Sequence, residues 1–381
     1  MKRICVENSY GDKIWYVFNK KTRTAIVSYN GERREFDDVS YSNSIVIPKE
    51  VQYNGVIYEV KKIGKKAFLD CSELTNVTIP CTINEIESSA FECCDSLKSI
   101  SIPNSVKKIG KRAFYGCNSL EKVTISSQID KIEEECFKFC YMLKDVVIPE
   151  GIKVIAIDAF WGCWFLNSVT IPSSVNKIGL DAFSSCEYLI DIIVAENNLH
   201  YSSVDGVLLN RSKTEIIKVP EGKSGLYKIP DGVSTIGRNA FDACKKLTQV
   251  SIPSSVTMIE PATFLSCDAL YNIIVAENNS CFCFEDGVLF DKSRTNLIFV
   301  LREKLGEYTI PNDVIKINDY AFYCCSNLIS VKVPSSVKFI GDFAFDDCKK
   351  LNVIIDNPEN CLTIGYRSFG GCKSVIFSKS E

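Results

Sequence analysis

Apolar residues return along this chain at fixed offsets from a phenylalanine, and the polar residues between them keep the same beat. In SVKKIGKRAFYGCNSLEKVTI, Ser105 to Ile125, the apolar positions are Val106, Ile109, Ala113, Phe114, Cys117, Leu120, Val123 and Ile125. Phe114 has counterparts at Phe68, Phe91, Phe137, Phe160, Phe183, Phe241, Phe264, Phe322, Phe345 and Phe369. The first six of the eleven stand 23 residues apart, and the later gaps are 58, 23, 58, 23 and 24. Isoleucine stands five residues before every one of them. Leucine stands six after in ten, with Val375 in the last.

Each stretch of this pattern predicts an element. Steps of one and three through Ala, Phe, Cys and Leu predict a short helical or 3₁₀ segment with one buried face. The alternation of Val123 and Ile125 predicts a strand with one buried face. Prolines such as Pro80, Pro103 and Pro149 follow the strand and stop it. A second extended piece carries Val106 and Ile109. Gly64, Gly110, Gly179, Gly237, Gly341 and Gly365 then mark a turn, where the positive φ that glycine adopts cheaply is expected.

A unit this short cannot bury its own apolar side, but stacked units can, each strand pairing with the next coil. The fold class is therefore a repeat solenoid: a right-handed leucine-rich-repeat coil of about 11 units of 23 residues, with a parallel β-sheet, short helical or 3₁₀ segments and β-hairpin insertions. At about 4.8 Å per coil it spans on the order of 50 Å.

Two domains are expected. Residues 1–59 read as a β-rich N-terminal cap, with two strands joined by a turn near Asn19 to Thr22, covering the solenoid's open end. Residues 60–381 read as the solenoid. Its two long gaps hold related insertions at about 195–229 and 276–310, which lie 81 residues apart. Each carries GVL, a polar turn and an apolar run, which predicts a β-hairpin grafted onto one coil. In the last coil DNPENCL, from Asp356, replaces the usual proline turn, and SVIFSKSE reads as a terminal strand.

Composition adds mainly exclusions. The net charge of −3 gives no electrostatic case for nucleic acid. No apolar run reaches the length of a membrane span, so membrane insertion is not expected. The first residues, MKRICVENSYGDKIWY, lack the apolar core of a signal peptide, so the protein is cytosolic unless a leader precedes them.

The 19 cysteines resemble a disulfide framework until they are placed on the repeat. Eleven stand three residues after the phenylalanine: Cys71, Cys94, Cys117, Cys140, Cys163, Cys186, Cys244, Cys267, Cys325, Cys348 and Cys372. A position filled once per coil is a stacking column, and cysteine there acts as a small buried hydrophobe. Side chains that run parallel do not present the matched Cβ vectors a bridge requires.

The string I-G-x-x-A-F-x-x-C-x-x-L-x-x-V-x-I-P-x-S-V resembles the BspA-type (treponemal-type) leucine-rich repeat over roughly residues 60–377. That family resembles cell-surface or secreted adhesion and binding proteins of bacteria and some protists. The resemblance implies non-enzymatic recognition and names no ligand.

Candidate chemistry is sparse. His200 is the only histidine, and its match in the second insertion is Cys281, several coils away, so neither a shared metal nor a histidine-dependent triad is expected. No catalytic, cofactor-binding or metal-ligating residues are assigned. A binding patch is suggested by aromatic residues at positions that are polar in other units: Tyr115, Phe139, Tyr141, Trp161, Trp164, Phe165 and Tyr188. Such rings either anchor a partner or fill gaps between coils. The preferred reading is a binding or adhesion module taking a protein or glycan ligand through the solenoid surface, outside the cell as the resemblance implies. The alternative is an intracellular protein-interaction scaffold, which the abundant cysteine favours.

Overall fold

The computed structural model describes residues 2–29, 41, 43–357 and 362–377. Residues 358–361 of the DNPENCL turn and the last four residues of SVIFSKSE lie outside them. Two compact units, Met1–Gly206 and Val207–Glu381, each consist of stacked coils. Each unit is a β-solenoid, and together they hold about 14 turns of roughly 23 residues. The number exceeds eleven because coils without the repeat phenylalanine also stack.

In the first unit, Ser99–Ser101, Lys122–Thr124, Asp145–Val147, Ser168–Ile171 and Asp191–Val194 form a parallel sheet. Its register repeats the sequence period, with Lys122 opposite Asp145, Asp145 opposite Ser168 and Ser168 opposite Asp191. Val123, Val146, Val169 and Ile192 point inward from these strands and are buried. At the N-terminus, Arg3–Glu7, Lys13–Asn19 and Thr24–Ser28 are antiparallel neighbours, and Thr24–Ser28 pairs parallel with Val56–Ile63.

The second unit repeats the plan. Ser224–Lys228, Lys246–Ile252 and Asn272–Val275 pair in parallel, as do Gly306–Thr309, Leu328–Val333, Asn352–Ile355 and Ser374–Phe377. The second insertion is an antiparallel meander of Phe282–Glu285, Val288–Asp291 and Asn296–Val300. Its third strand turns parallel to Lys316–Ile317 and so rejoins the stack. Each insertion therefore contributes a coil of its own, with Val219 or Val300 in the phenylalanine's place. The Val219 and Val300 amides bond to the carbonyls of Ala240 and Ala321, as the Phe68 amide bonds to that of Ala90.

The phenylalanine segments are not helical or 3₁₀. Among the described residues no helix occurs, and these segments are runs of turns. The backbone gives the reason. Residues two before and two after the phenylalanine take positive φ: Ser89 58° and Cys93 58°, Arg112 57° and Gly116 68°, Glu135 55° and Phe139 63°. A right-handed helix cannot contain such residues. With them, alternate amides point in different directions. Phe91 and Cys93 donate to Ala113 and Tyr115 in the next coil, both at 2.8 Å, while Glu92 and Cys94 donate back to Ser89 and Phe91 at 3.3 Å. Half of the amides close turns and half join coils, whereas a helix would use them all locally and leave the coils joined by apolar contact alone.

The glycines also act differently from the expectation. Gly110, Gly179 and Gly341 do not have positive φ; a Cβ at each would lie 2.4 Å from a backbone nitrogen of the preceding coil. Glycine is there because two backbones meet, and the left-handed turn falls on its neighbours.

The core is a set of columns. Phe68, Phe91, Phe114, Phe137, Phe160 and Phe183 stack with centroids 4.9, 5.2, 5.4, 5.3 and 5.5 Å apart and planes within 8°. All eleven column cysteines are thiols; ten are buried and Cys372 is half-buried. Each of Cys94, Cys117, Cys140, Cys163 and Cys186 aims its Sγ at the carbonyl of the phenylalanine in the preceding coil, at 3.1–3.3 Å. Cys267, Cys348 and Cys372 do the same at 3.1, 3.0 and 3.2 Å. After each insertion coil the contact lengthens, to 3.7 Å for Cys244 with Val219 and 3.9 Å for Cys325 with Val300. Burial raises the thiol pKa values, to about 12 for Cys267 and Cys348, so the donors keep their protons.

A further device replaces the proline turn at three places. Asn198, Asn279 and Asn357 are buried, and each side-chain amide donates to two carbonyls of the preceding coil. Asn279 Nδ2 reaches Pro253 at 2.8 Å and Val256 at 3.1 Å, while its Oδ1 accepts from the amides of Cys281 and Phe282. All the polar valences of the buried amide are used, which makes its burial tolerable.

Candidate recognition surface

The turn run after each phenylalanine carries side chains outward, so residues 23 apart lie side by side on one ridge. The ridge of the first unit gathers five of the seven aromatic residues singled out from sequence. Phe139 is their hub. Its ring meets Tyr115 edge-on at 5.3 Å, Trp161 edge-on at 4.9 Å and Tyr141 at 5.7 Å. Tyr141 lies 4.4 Å from Trp164, extending the cluster. Phe165 and Tyr188 form a separate stacked pair at 5.1 Å and 8°. Trp164, Phe165 and Tyr188 are 46%, 38% and 47% exposed, whereas Tyr115, Phe139, Tyr141 and Trp161 are half-buried against one another.

Phe139 is accommodated by its neighbours in the column. The residues one coil to either side are Gly116 and Gly162, and the position a Gly162 Cβ would take lies 3.1 Å from the Phe139 ring. Phe139 itself has φ of 63°, a conformation costly for a bulky residue. Other coils place Asp70, Cys93 and Ser185 at this point.

Beside the rings runs a ladder of charge. Arg112 bridges Glu92 at 2.8 Å and Glu135 at 3.4 Å; Lys138 bridges Glu135 at 3.0 Å and Asp158 at 2.6 Å. Arg112 also covers the Tyr115 ring at 4.0 Å, and the Lys138 ammonium lies 4.9 Å from the Trp161 ring. Burial works against the charge on Lys138, but its hydrogen bonds to Asp158 and Glu135 outweigh this and raise its pKa.

His200 is exposed in a turn where its amide donates to Asn198 Oδ1 at 2.8 Å. Among the described residues, no group of three His, Cys, Asp or Glu is placed to hold a metal ion. No helix among them is long and apolar enough to cross a membrane.

Sequence reasoning missed a second aromatic cluster, in the second unit. Tyr320 stacks on Phe343 at 5.0 Å and meets Tyr323 edge-on at 5.8 Å, while Tyr366, 68% exposed, meets Phe343 at 5.4 Å. Tyr320 and Phe343 share one column, 23 residues apart, while Tyr323 and Tyr366 come from others, so no single column signals the whole cluster. The available signal was that Tyr320 and Phe343 both stand two before their phenylalanines.

Comparison with known proteins agrees with this architecture. The profile of the BspA-type leucine-rich repeat region matches in six copies over residues 61–190, 226–291 and 292–379. The chain is similar to a leucine-rich cell surface protein from Faecalibacterium prausnitzii, with 26% identity and a TM-score of 0.63, covering 100% of this chain and 96% of that one. It shares its fold with the pneumococcal vaccine antigen PcpA (17% identity, TM-score 0.57, 99% of each chain). It also shares it with a leucine-rich repeat protein from Eubacterium ventriosum (19% identity, TM-score 0.55, 100% of this chain and 97% of that one). No curated protein matches the sequence. The chain belongs to the BspA-type leucine-rich repeat family.

Proposed function

We propose that this chain is a non-catalytic recognition module at a bacterial cell surface, taking a protein or glycan ligand through the ridge of the first unit. The observation that carries the reading is the exposed run of Trp164, Phe165 and Tyr188 beside the Phe139 hub. Tryptophan and tyrosine supply much of the binding energy at contacts, and a contiguous apolar patch on a polar surface is the usual mark of one. Family membership and the likeness to a leucine-rich cell surface protein support the location.

Residues 1–59 then serve as the cap of a solenoid running from residue 60 to 381. The Tyr41 ring, 4.8 Å from that of Phe68, closes the end of the phenylalanine stack.

A second reading, an intracellular interaction scaffold, is favoured by the abundance of cysteine, 19 in 381 residues, which suits a reducing compartment. A secretion or lipoprotein leader encoded upstream supports the surface reading and opposes the scaffold.

The functional test is a glycan and host-protein binding screen with wild type and the Trp161→Ala, Trp164→Ala double variant. The proposal expects the double variant to keep its fold and lose at least tenfold in affinity. Unchanged binding by a stable double variant removes the ridge as the contact.

A further inference from the structure

The second unit holds a polar cleft of about 400 Å³ that the ridge of the first unit does not involve. It forms where the second insertion coil, built on Val300 instead of a phenylalanine, lies between full coils. The preceding coil supplies Asp268, the insertion coil Arg302, the next coil Cys324 and Asn327, and the one after it Asp347 and Lys349. Its volume lies at the lower end of the range for small-ligand sites.

The groups in this cleft are already oriented. The Arg302 guanidinium pairs with Asp268 and lies 5.7 Å from the Tyr323 ring centroid. Asn327 Nδ2 donates to the Arg302 carbonyl at 3.3 Å. Asp347 accepts from Cys324 Sγ at 3.4 Å and pairs with Lys349 at 3.1 Å. Each of these planar groups retains further donors or acceptors beyond the contacts named. The matching residue in the first insertion, 81 positions earlier, is Glu221, buried against Lys218 at 3.2 Å. The guanidinium is therefore particular to the second insertion.

Charge narrows the ligand. Asp268, Asp347 and Glu303 outnumber Arg302 and Lys349 by one, so an anion gains little here. A row of fixed carboxylate, guanidinium and amide groups without a large apolar wall suits a ligand rich in neighbouring hydroxyls. We propose that this cleft binds an uncharged sugar residue of a glycan, with Asp347 and Asn327 accepting from and donating to its hydroxyls and Arg302 donating to a third. The inference rests on the chain being a recognition module but not on the aromatic ridge.

The test titrates the full chain with a panel of neutral oligosaccharides terminating in hexose or N-acetylhexosamine, followed by calorimetry or chemical-shift change. Asp347→Ala and Asn327→Ala are each expected to weaken binding at least tenfold; thermal unfolding stays unchanged for Asn327→Ala and falls modestly for Asp347→Ala, because Asp347 holds φ of 59°, which alanine tolerates less well. Trp161→Ala with Trp164→Ala is expected to leave it as it was. Asp347→Asn, which keeps the shape, serves if the alanine variant is unstable, and it too should weaken binding. The proposal is overturned if no neutral oligosaccharide binds, if binding survives Asp347→Ala and Asn327→Ala, or if only sulfated or carboxylated glycans bind. Loss of ridge binding in the tryptophan variant with cleft binding intact, or the reverse, tells the two surfaces apart.

Discussion

The thiol of Cys117 donates to the carbonyl of Phe91, one coil before it, at 3.1 Å. That carbonyl already accepts the Cys94 amide at 3.3 Å, so its two lone pairs serve its own turn and the neighbouring coil. The cysteine column is thus more than small apolar filling: it also ties each coil to the one before. Cys117→Ala should cost about 1–2 kcal/mol, from a small cavity and a lost weak hydrogen bond. Exposed Cys5 should tolerate alanine within about 0.5 kcal/mol. Denaturant unfolding of the two variants checks the difference.

Gly110→Ala places a methyl group 2.4 Å from the Ser88 amide nitrogen, where the obstacle is backbone and cannot swing aside. The coils must separate locally, at a cost of about 1–3 kcal/mol, as for other overpacked sites. Lys111→Ala, next to it but exposed, should be near neutral. A thermal melt of both variants tests whether close approach is what demands the glycine.

Phe139 holds an unfavourable φ in order to present its ring. Asparagine tolerates that conformation far better. Phe139→Asn should therefore lower stability by less than about 1 kcal/mol or even raise it, while binding at the ridge falls. Paired measurements of melting temperature and affinity check this. A large loss of stability would mean that the ring is core, not contact.

Asn279→Ala leaves the carbonyls of Pro253 and Val256 and two amides without the side chain that satisfies them. A loss of about 2–4 kcal/mol is expected, several times that of a surface change. Hydrogen exchange of the Cys281 and Phe282 amides should accelerate with it.

Asp291 supplies a pH-dependent contribution. Partial burial works to raise its pKa, but hydrogen bonds from the Asn296 amide and the Thr295 and Ser293 side chains prevail and lower it below 3.8. Because the folded value lies below the unfolded one, the contribution is complete above the unfolded pKa. It is lost as pH falls toward the folded pKa. Asn210 fills the matching place in the first insertion, accepting from the Thr214 and Glu215 amides. Asp291→Asn should keep the turn and flatten the stability profile below about pH 4. Acid titration of both proteins, followed by circular dichroism, is the check.

The columns were readable because burial repeats: Phe114, Cys117 and Leu120 recur at one spacing and sit in one core. The turn run was not readable as such. Steps of one and three fit a helix as well as successive turns, and the residues that decide, such as Arg112 and Glu135, show no glycine to betray their positive φ. The glycines misled for the same reason, since close approach and left-handed backbone select the same residue. Within the ridge, Phe139, Trp161 and Trp164 stood out as rings at otherwise polar positions. The cleft at Arg302 did not, because it depends on four coils meeting around a position where phenylalanine is absent.

The assignment of inner and outer columns is tested most directly by alkylating the native protein with a small maleimide and mapping the labelled cysteines by mass spectrometry. The account predicts that exposed Cys5 and Cys81 label readily, while Cys94, Cys117, Cys140 and Cys163 stay unlabelled until denaturant is added and then all react as thiols. Rapid labelling of those four in the native state, or their recovery as disulfides, would contradict it.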